Sequence, residues 1–550
     1  MAFIGKKIIR GNKYYYLNEN KRVDGKVKTK TLAYLGKSKK DAEVKAKEIL
    51  GKVSEKLKDK INFSKAEKRD ISIEELAAFC KRRGFIYQSG EIYGGLAGFW
   101  DFGPLGSELK NNLKREWWKY HVYGRDDIVG IDGSIITHPK VWEASGHVGN
   151  FSDVFVVCKK CKKAGKVDRN ELGKVKCDNC GGDYDEKTAK DFELMFKTTV
   201  GESDKVYLRP ETAQLIFINF KSVYENSRMK LPFGIAQIGK SFRNEIAPRD
   251  FLFRSREFEQ MEIEYFIKPG QGCPYEIPDA EVLVYSADLQ EKEKEPTKMK
   301  IQDALNKKII KKDWHAYWLA IELNWFKNLG ADTNKFRIRQ HLKDEKSHYA
   351  IDTWDLEYKF PFGWRELEGI ADRGNYDLSQ HEKFSKKELS VFDEETKEKI
   401  LPHVVCEPSL GVERAFLVFM FDSYYYNSQR DNVILKINPK LAPIKAAVFP
   451  IVKKPEFEKF AKVVLKNLQK EWNVVYDKSG SIGRRYARND EVGTPFCITI
   501  DGDSIKNSDV TIRDRDSARQ IRVKISKLEE VLRNLINGKV DFSKAGKLII

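Results

Sequence analysis

The 550-residue chain carries 100 Lys+Arg against 82 Asp+Glu, so its formal charge is 100 − 82 = +18, and at about 100–200 residues per domain it must divide into several. Its 41% hydrophobic and 12% aromatic content excludes a disordered polyelectrolyte, and the longest wholly apolar run, Ala415 to Phe421, is far short of the roughly 18 residues of a membrane helix. Lys6, Lys7 and Arg10 interrupt the N-terminus before a leader could develop, and eight cysteines are too few for a disulfide scaffold, so a cytoplasmic protein with no membrane partner is expected.

Residues 1–69 hold 21 Lys+Arg and 8 Asp+Glu, which puts +13 of the +18 into an N-terminal appendage. From Lys7 to Gly36, β-branched and aromatic residues between turn signals predict two or three short antiparallel strands, with Asp24-Gly25 as a hairpin turn. Ser38 to Lys60 predicts a helix capped at Ser38. A basic β-ribbon bearing Tyr14, Tyr15 and Tyr16 suits nucleic acid, with cations on phosphates and rings on bases; a solvated charged face is the plainer alternative. The segment resembles the β-ribbon arm domains of some integrases and transposases.

From about residue 70 to 440 the pattern mixes helix and strand. Ser107 to His121 predicts a helix with Leu109, Leu113 and Trp117 on one stripe. Two insertions interrupt the block: residues 156–185, rich in Cys and Gly, and residues 272–350, expected to be helical from Trp314, Tyr317, Trp318, Ile321, Leu323 and Trp325. A break at Asn438 to Pro443 opens residues 441–550, where strand-like and helix-like runs alternate as in a small α/β domain.

In the first insertion, Cys158-x-x-Cys161 and Cys177-x-x-Cys180 form two knuckles 15 residues apart. Four thiolates so spaced can close around one tetrahedral, structural Zn²⁺; two disulfides are the competing reading, disfavoured in a reducing compartment. Gly234-Ile-Ala-Gln-Ile-Gly239-Lys240-Ser241 matches a phosphate-loop pattern letter by letter. It is rejected on context, because its interior alternates like a strand and Pro248 prevents the helix such a loop requires.

Phe233 to Ile267 reads as strand, loop, strand: residues 233–242 alternate, Ala247 to Asp250 turn, and 251–267 alternate again. On the second strand Phe258, Gln260, Glu262 and Glu264 share one face and Met261, Ile263, Tyr265 and Ile267 the other. The apolar face is core. The polar one carries carboxylates, while Arg243, Arg249, Arg254 and Arg256 gather at the hairpin, an arrangement suited to a ligand that is polyphosphate at one end and ammonium at the other. An exposed hairpin of ion pairs is the alternative.

Phe242-Arg243-Asn244-Glu245, then Phe253-Arg254-Ser255-Arg256-Glu257-Phe258, then Gly411-Val412-Glu413-Arg414 ahead of an apolar helix resemble motifs 2 and 3 of the class II aminoacyl-tRNA synthetases. Longer stretches narrow the resemblance: Gly84 to Gly95, Trp142 to His147, Leu208 to Gln214, Gly369 to Arg373, Glu407 to Ser409 and Ser479 to Tyr486 are similar to the dimeric, eukaryotic or archaeal-like type of glycyl-tRNA synthetase. The likeness covers residues 70–550 and leaves 1–69 outside.

The resemblance implies an α+β fold: an antiparallel sheet of six or seven strands flanked by helices, with an α/β anticodon-binding domain at 441–550 in which Arg484, Arg485, Arg488, Asn489 and Asp490 stand in a polar stretch. It implies ATP, glycine and tRNA(Gly) as partners, Mg²⁺ with the ATP, and a homodimer built on residues 107–121 and 127–136. Activation is attack of a carboxylate on the α-phosphate, which needs charge neutralisation more than acid or base groups. By similarity Arg243 holds that phosphate and the substrate carboxylate, and Arg414 grips the γ-phosphate. Asn244, Glu245, Arg254, Ser255, Phe258 and Leu367 complete the nucleotide site, with Glu366 toward Mg²⁺. Glu211, Glu262 and Glu407 surround the ammonium, and Ser409 fills the space of a β-carbon. A catalytically dead, synthetase-derived RNA- or DNA-binding accessory protein is the alternative, but such proteins generally lose arginines that this chain keeps.

Overall fold

The computed structural model describes residues 2–9, 12–23, 26–36, 67–150, 152–167, 172–177, 179–347, 349–428 and 431–549. The chain divides into two compact units, Met1–Ala66 and Glu67–Ile550. In the first, β1 (Ala2–Ile9), β2 (Asn12–Val23) and β3 (Lys26–Gly36) form an antiparallel meander in that order, with register shifts in β2 after Tyr15 and Leu17. The expected turn at Asp24-Gly25 and the helix from Ser38 lie outside the described residues.

The second unit begins with mixed elements that lead into the main sheet. Helix α1 (Pro104–Trp118) starts on a proline at its first turn, where a missing N–H costs nothing, and buries Leu109, Leu113 and Trp117 as its stripe predicts. Strand β4 (Ile128–Ile131) follows, then the cysteine insertion: β5 (Ser152–Cys158), β6 (Ala164–Val167) and β7 (Tyr184–Glu193), paired in the order β6-β5-β7. Helix α2 (Ala213–Ser227) precedes the long hairpin β8 (Phe233–Phe242) and β9 (Glu257–Ile267). Strands β10 (Glu281–Tyr285) and β11 (Thr297–Lys300), helix α3 (Asp313–Asn328), and strands β12 (Phe336–Gln340), β13 (Asp352–Phe360) and β14 (Gly363–Asp372) come next. Helix α4 (Tyr376–Ser385), β15 (His403–Gly411) and α5 (Val412–Ser423) complete the block.

These strands form one nine-stranded sheet, β11-β10-β12-β13-β14-β15-β9-β8-β4, antiparallel except for β10 with β12 and β8 with β4. Its apolar face packs on α1, α3 and α5 around Leu109, Trp117, Ile263, Tyr265, Trp318, Leu410 and Phe416. The sheet is wider than expected because the 272–350 insertion is not purely helical: Val282 and Val284, then Phe336 and Ile338, alternate buried with less buried neighbours and extend it as β10 and β12. The tryptophan-rich helix α3 masked these short strands.

Strand β9 starts at Glu257, later than the alternation from Phe251 implied. Residues 243–256 stay off the ladder because Arg254 and Arg256 bond the side chain and the carbonyl of Glu245, and Phe251–Phe253 form a short 3₁₀ turn. The phosphate-loop look-alike lies wholly within β8. A Cβ on Gly239 would fall 1.9 Å from the Arg209 guanidinium, and that buried group is fixed by Lys240 O (2.7 Å), Gly133 O (2.8 Å) and Gln237 Oε1 (3.1 Å).

Past the proline-bearing connection, β16 (Ala446–Pro450), α6 (Pro455–Leu468), β17 (Val474–Tyr476), α7 (Ile482–Glu491), β18 (Phe496–Ile500), β19 (Asp509–Asp514), β20 (Gln520–Lys524), α8 (Ile525–Ile536) and β21 (Lys547–Ile549) build a six-stranded sheet ordered β17-β16-β18-β19-β20-β21 with its own core. Asn112 of α1 donates to the carbonyls of Leu441 (3.2 Å) and Ala442 (3.1 Å) and pins the connection to the main sheet's helix layer.

Candidate active site

Strands β9, β14 and β15 run side by side and turn their polar faces into one cavity of about 300 Å³. Twelve of the thirteen nucleotide- and glycine-site residues expected from sequence line it: Arg243, Glu245, Arg254, Ser255, Phe258, Glu366, Leu367, Arg414, Glu211, Glu262, Glu407 and Ser409. Asn244 is the exception. Its backbone N–H donates to Leu194 O at 2.7 Å, at the exit of the cysteine insertion, so it fastens that insertion to the cavity's rim.

One end is cationic. Arg243 leaves β8 and lies over the Phe258 ring (5.4 Å), with its Nε bonded to Pro210 O at 3.0 Å. Arg254 forks onto Glu245 Oε2 through Nε (2.8 Å) and Nη2 (2.7 Å). Arg414 stands in the first turn of α5, stacks on Phe253 (4.6 Å) and reaches the carbonyl and carboxylate of Glu366 at 2.9 and 3.2 Å. Arg414, with His341 and Arg243 behind it, holds the Glu366 carboxyl below its ordinary range.

The other end is acidic and buried. Ser409 faces Glu262 across the β9–β15 pair and donates to its Oε1 at 2.6 Å, while Gln260 donates to the Ser409 hydroxyl at 3.2 Å. Thr212 bonds the second Glu262 oxygen. Glu407 accepts from Arg373 Nη1 at 2.8 Å, and Arg373, wholly buried over Tyr349, forks onto Asp377 at 2.7 and 2.9 Å. Glu211 meets His147 at 3.2 Å and Gln214 at 3.1 Å. Burial pushes Glu211 up, but His147, Arg373 and Arg243 outweigh it and hold the carboxyl far below the usual range. Burial and the neighbouring Glu211 raise Glu262. Burial raises Glu407 to about 8, with Glu262 and Glu211 adding to it and Arg373 opposing.

Arg373, Asp377, Thr212 and His147 escaped the sequence reading as site residues because they act on the cavity's groups from behind. Arg373, His147 and Thr212 nonetheless fall within stretches that resembled the synthetases, Gly369 to Arg373, Trp142 to His147 and Leu208 to Gln214.

The four cysteines also come together. Sγ of Cys158 and Cys180 lie 3.5 Å apart, those of Cys161 and Cys177 3.7 Å, and all four within 4.8 Å of one another. A tetrahedron with Zn–S of about 2.3 Å has edges of about 3.8 Å, so the thiols fit the ion.

A family model described as "tRNA synthetase class II core domain (G, H, P, S and T)" matches residues 196–286, which span β8, the loop and β9, and one described as "Anticodon binding domain" matches residues 445–535. Fold and site thus define a class II aminoacyl-tRNA synthetase. Among known proteins the chain is similar to the glycine--tRNA ligases of Treponema denticola (42% identical over 487 residues, 85% of this chain and 99% of the relative), Thermobifida fusca (42% over 495 residues, 85% and 98%) and Acetivibrio thermocellus (44% over 504 residues, 86% and 99%). The chain belongs to the glycine--tRNA ligase family.

Proposed function

We propose that the cavity is the place where glycine is activated and joined to tRNA(Gly), with the residue roles that follow. The chain is an aminoacyl-tRNA ligase, and the reaction is the displacement of pyrophosphate from ATP by the glycine carboxylate, then transfer of glycine from its adenylate to the tRNA 3′ end. Arg243 spans the α-phosphate and the incoming carboxylate, where its fork can hold both oxygens in line for attack. Arg414 takes the γ-phosphate, the positive end of α5 adds to its field, and Arg254, forked onto Glu245, helps clamp the base. Phe258 stacks on the base and Glu245 accepts from its amino group. Mg²⁺ is the ion expected with ATP; Glu366, a hard oxygen donor at the cationic end, would hold it there, where the ion neutralises charge on the phosphates.

At the acidic end Glu211, Glu262 and Glu407 receive the ammonium, and Ser409 occupies the volume of a side chain. Larger amino acids are rejected by overlap, and nothing smaller exists to compete, so no editing step is required. The observation that supports this reading best is a single cavity with guanidinium groups at one end and three buried carboxylates at the other, in a chain of this family. Zn²⁺ in the cysteine insertion is structural, the chain works as a cytoplasmic homodimer, and the basic first unit assists tRNA binding. No described helix is long and apolar enough to cross a membrane. Glycine-dependent exchange of labelled pyrophosphate into ATP, absent with alanine and serine, tests the reading; no exchange with glycine overturns it.

A further inference from the structure

Glu264 lies two residues beyond Glu262 on the polar face of β9, and the register that sets Glu262 against Ser409 and Tyr265 against Cys406 places it beside Glu407. It is wholly buried, does not line the cavity, and neither carboxyl oxygen has a hydrogen-bond partner among the described residues. One oxygen from each of Glu262, Glu264 and Glu407 lies within 4.8 Å of the others. The charged groups that face it are Glu262 on its own strand, Glu407 on β15, Arg373 at the end of β14 and Asp377 on α4; β8 sets Ile235 opposite it, which carries no charge. Arg373 is already turned to Asp377 and Glu407. Three ionised carboxylates here would leave buried charge unpaired, the costliest state a side chain can adopt, and a proton is the smallest counter-charge that removes it.

We propose that Glu264 is a positioning residue held as a neutral carboxylic acid: its O–H turns to the Glu407 carboxylate, which then sits between Glu264 and Arg373 with its free oxygen aimed at the substrate's ammonium. This rests on the glycine reading of the pocket. Burial pushes Glu264 well above the usual carboxylate range and Glu407 adds to it, in keeping with a proton on this buried pair. Glu264 thus caps the pocket's negative charge. The cavity attracts one ammonium without holding a surplus of unpaired anions behind it.

Two substitutions in the full chain separate donor from charge. E264Q keeps an N–H donor without a charge, and E264L keeps volume without a donor. In pyrophosphate exchange, E264Q should hold the glycine KM within about twofold and E264L should raise it about tenfold, equivalent to about 1.4 kcal/mol. The ATP KM should stay within about twofold in both, since the cationic end is untouched. Infrared spectra at neutral pH should show a carboxylic-acid C=O band in the wild-type chain that both variants lack. The proposal is overturned if E264Q loses glycine as severely as E264L, which would require a negative charge at 264, if E264L binds like wild type, or if the band is unchanged. If E264Q does not fold, the wild-type band is followed during glycine titration: a band that shifts supports the proposal and its absence overturns it. Loss of glycine-dependent exchange in the wild-type chain would instead defeat the pocket reading, while the infrared comparison still decides the state of Glu264.

Discussion

Ser409 lines the acidic end of the cavity, where it donates to Glu262 while accepting from Gln260, and in the proposed reading it also fills space beside the ammonium. Ser409→Ala removes the hydroxyl and leaves a buried carboxylate oxygen short of a donor, a loss of about 1–3 kcal/mol, so the glycine KM should rise about tenfold while the ATP KM holds; equal glycine KM values would refute the bond's importance. Arg373 bears on stability as well. Arg373→Met strands Asp377 and Glu407 in the interior, and removal of one partner from a buried ion pair costs about 3–5 kcal/mol, which a fall in the urea midpoint will read. Glu211 gives the acid limb its sign. Its folded carboxyl titrates below the unfolded value of 4.5, so its stabilising contribution is fully present above that pH and is lost as pH falls beneath it. Glu211→Gln should flatten the acid-side decline of the urea midpoint; an unchanged slope would refute the contribution. What could be read in advance were side chains with a local pattern: Glu262 two positions from Gln260 on a strand face, and Arg414 at a helix start. The groups behind them reach the cavity from distant parts of the chain, as Arg373 reaches Glu407 across 34 residues, and no spacing rule connects such pairs.

Among elements, the cysteine insertion is fastened to the rim of the cavity through the backbone contact of Asn244 with Leu194. Metal analysis of the purified chain should give about one Zn²⁺ per chain. Chelation should loosen the insertion and raise the ATP KM, because Asn244 adjoins Arg243 and Glu245 and loses its anchor; full ATP affinity after complete zinc removal would show the insertion to be independent of the site. The four-cysteine cluster was legible because thiolates that can close around one ion demand a fixed local spacing. The strands of the other insertion were not. Helix α3 carries five aromatic residues (Trp314, Tyr317, Trp318, Trp325 and Phe326) and buries eleven of its sixteen residues, so apolar content outweighed the short two-residue period of β10 and β12 on either side of it.

At the scale of the whole molecule the charge is concentrated where the fold is smallest. Residues 1–69 carry +13 of the +18, and the unit to which nearly all of them belong, Met1–Ala66, is separate from the catalytic and anticodon-binding parts. Deletion of residues 1–66 should raise the KM for tRNA and reduce its dependence on salt, since each lost phosphate contact removes a released counterion, and should leave pyrophosphate exchange unchanged; identical tRNA kinetics with and without the unit would refute its role. The break at Asn438 to Pro443 was legible from proline and polarity. That Asn112 of α1 clasps the same connection through Leu441 and Ala442 was not, because the two partners lie over 300 residues apart.

Gly239 illustrates how a string of letters can survive for reasons foreign to its usual meaning. In a true phosphate loop the lysine is indispensable; here Lys240 is half exposed and paired with Glu257, whereas the space a methyl group would need at Gly239 is filled by Arg209. Saturation mutagenesis of these positions should therefore yield the reverse ranking, with broad tolerance at 240 and near-total intolerance at 239. Evicting Arg209 would free Gln237, whose amide donates to the Thr212 carbonyl, and the disturbance would pass through Thr212 to Glu262 at the acidic end of the cavity.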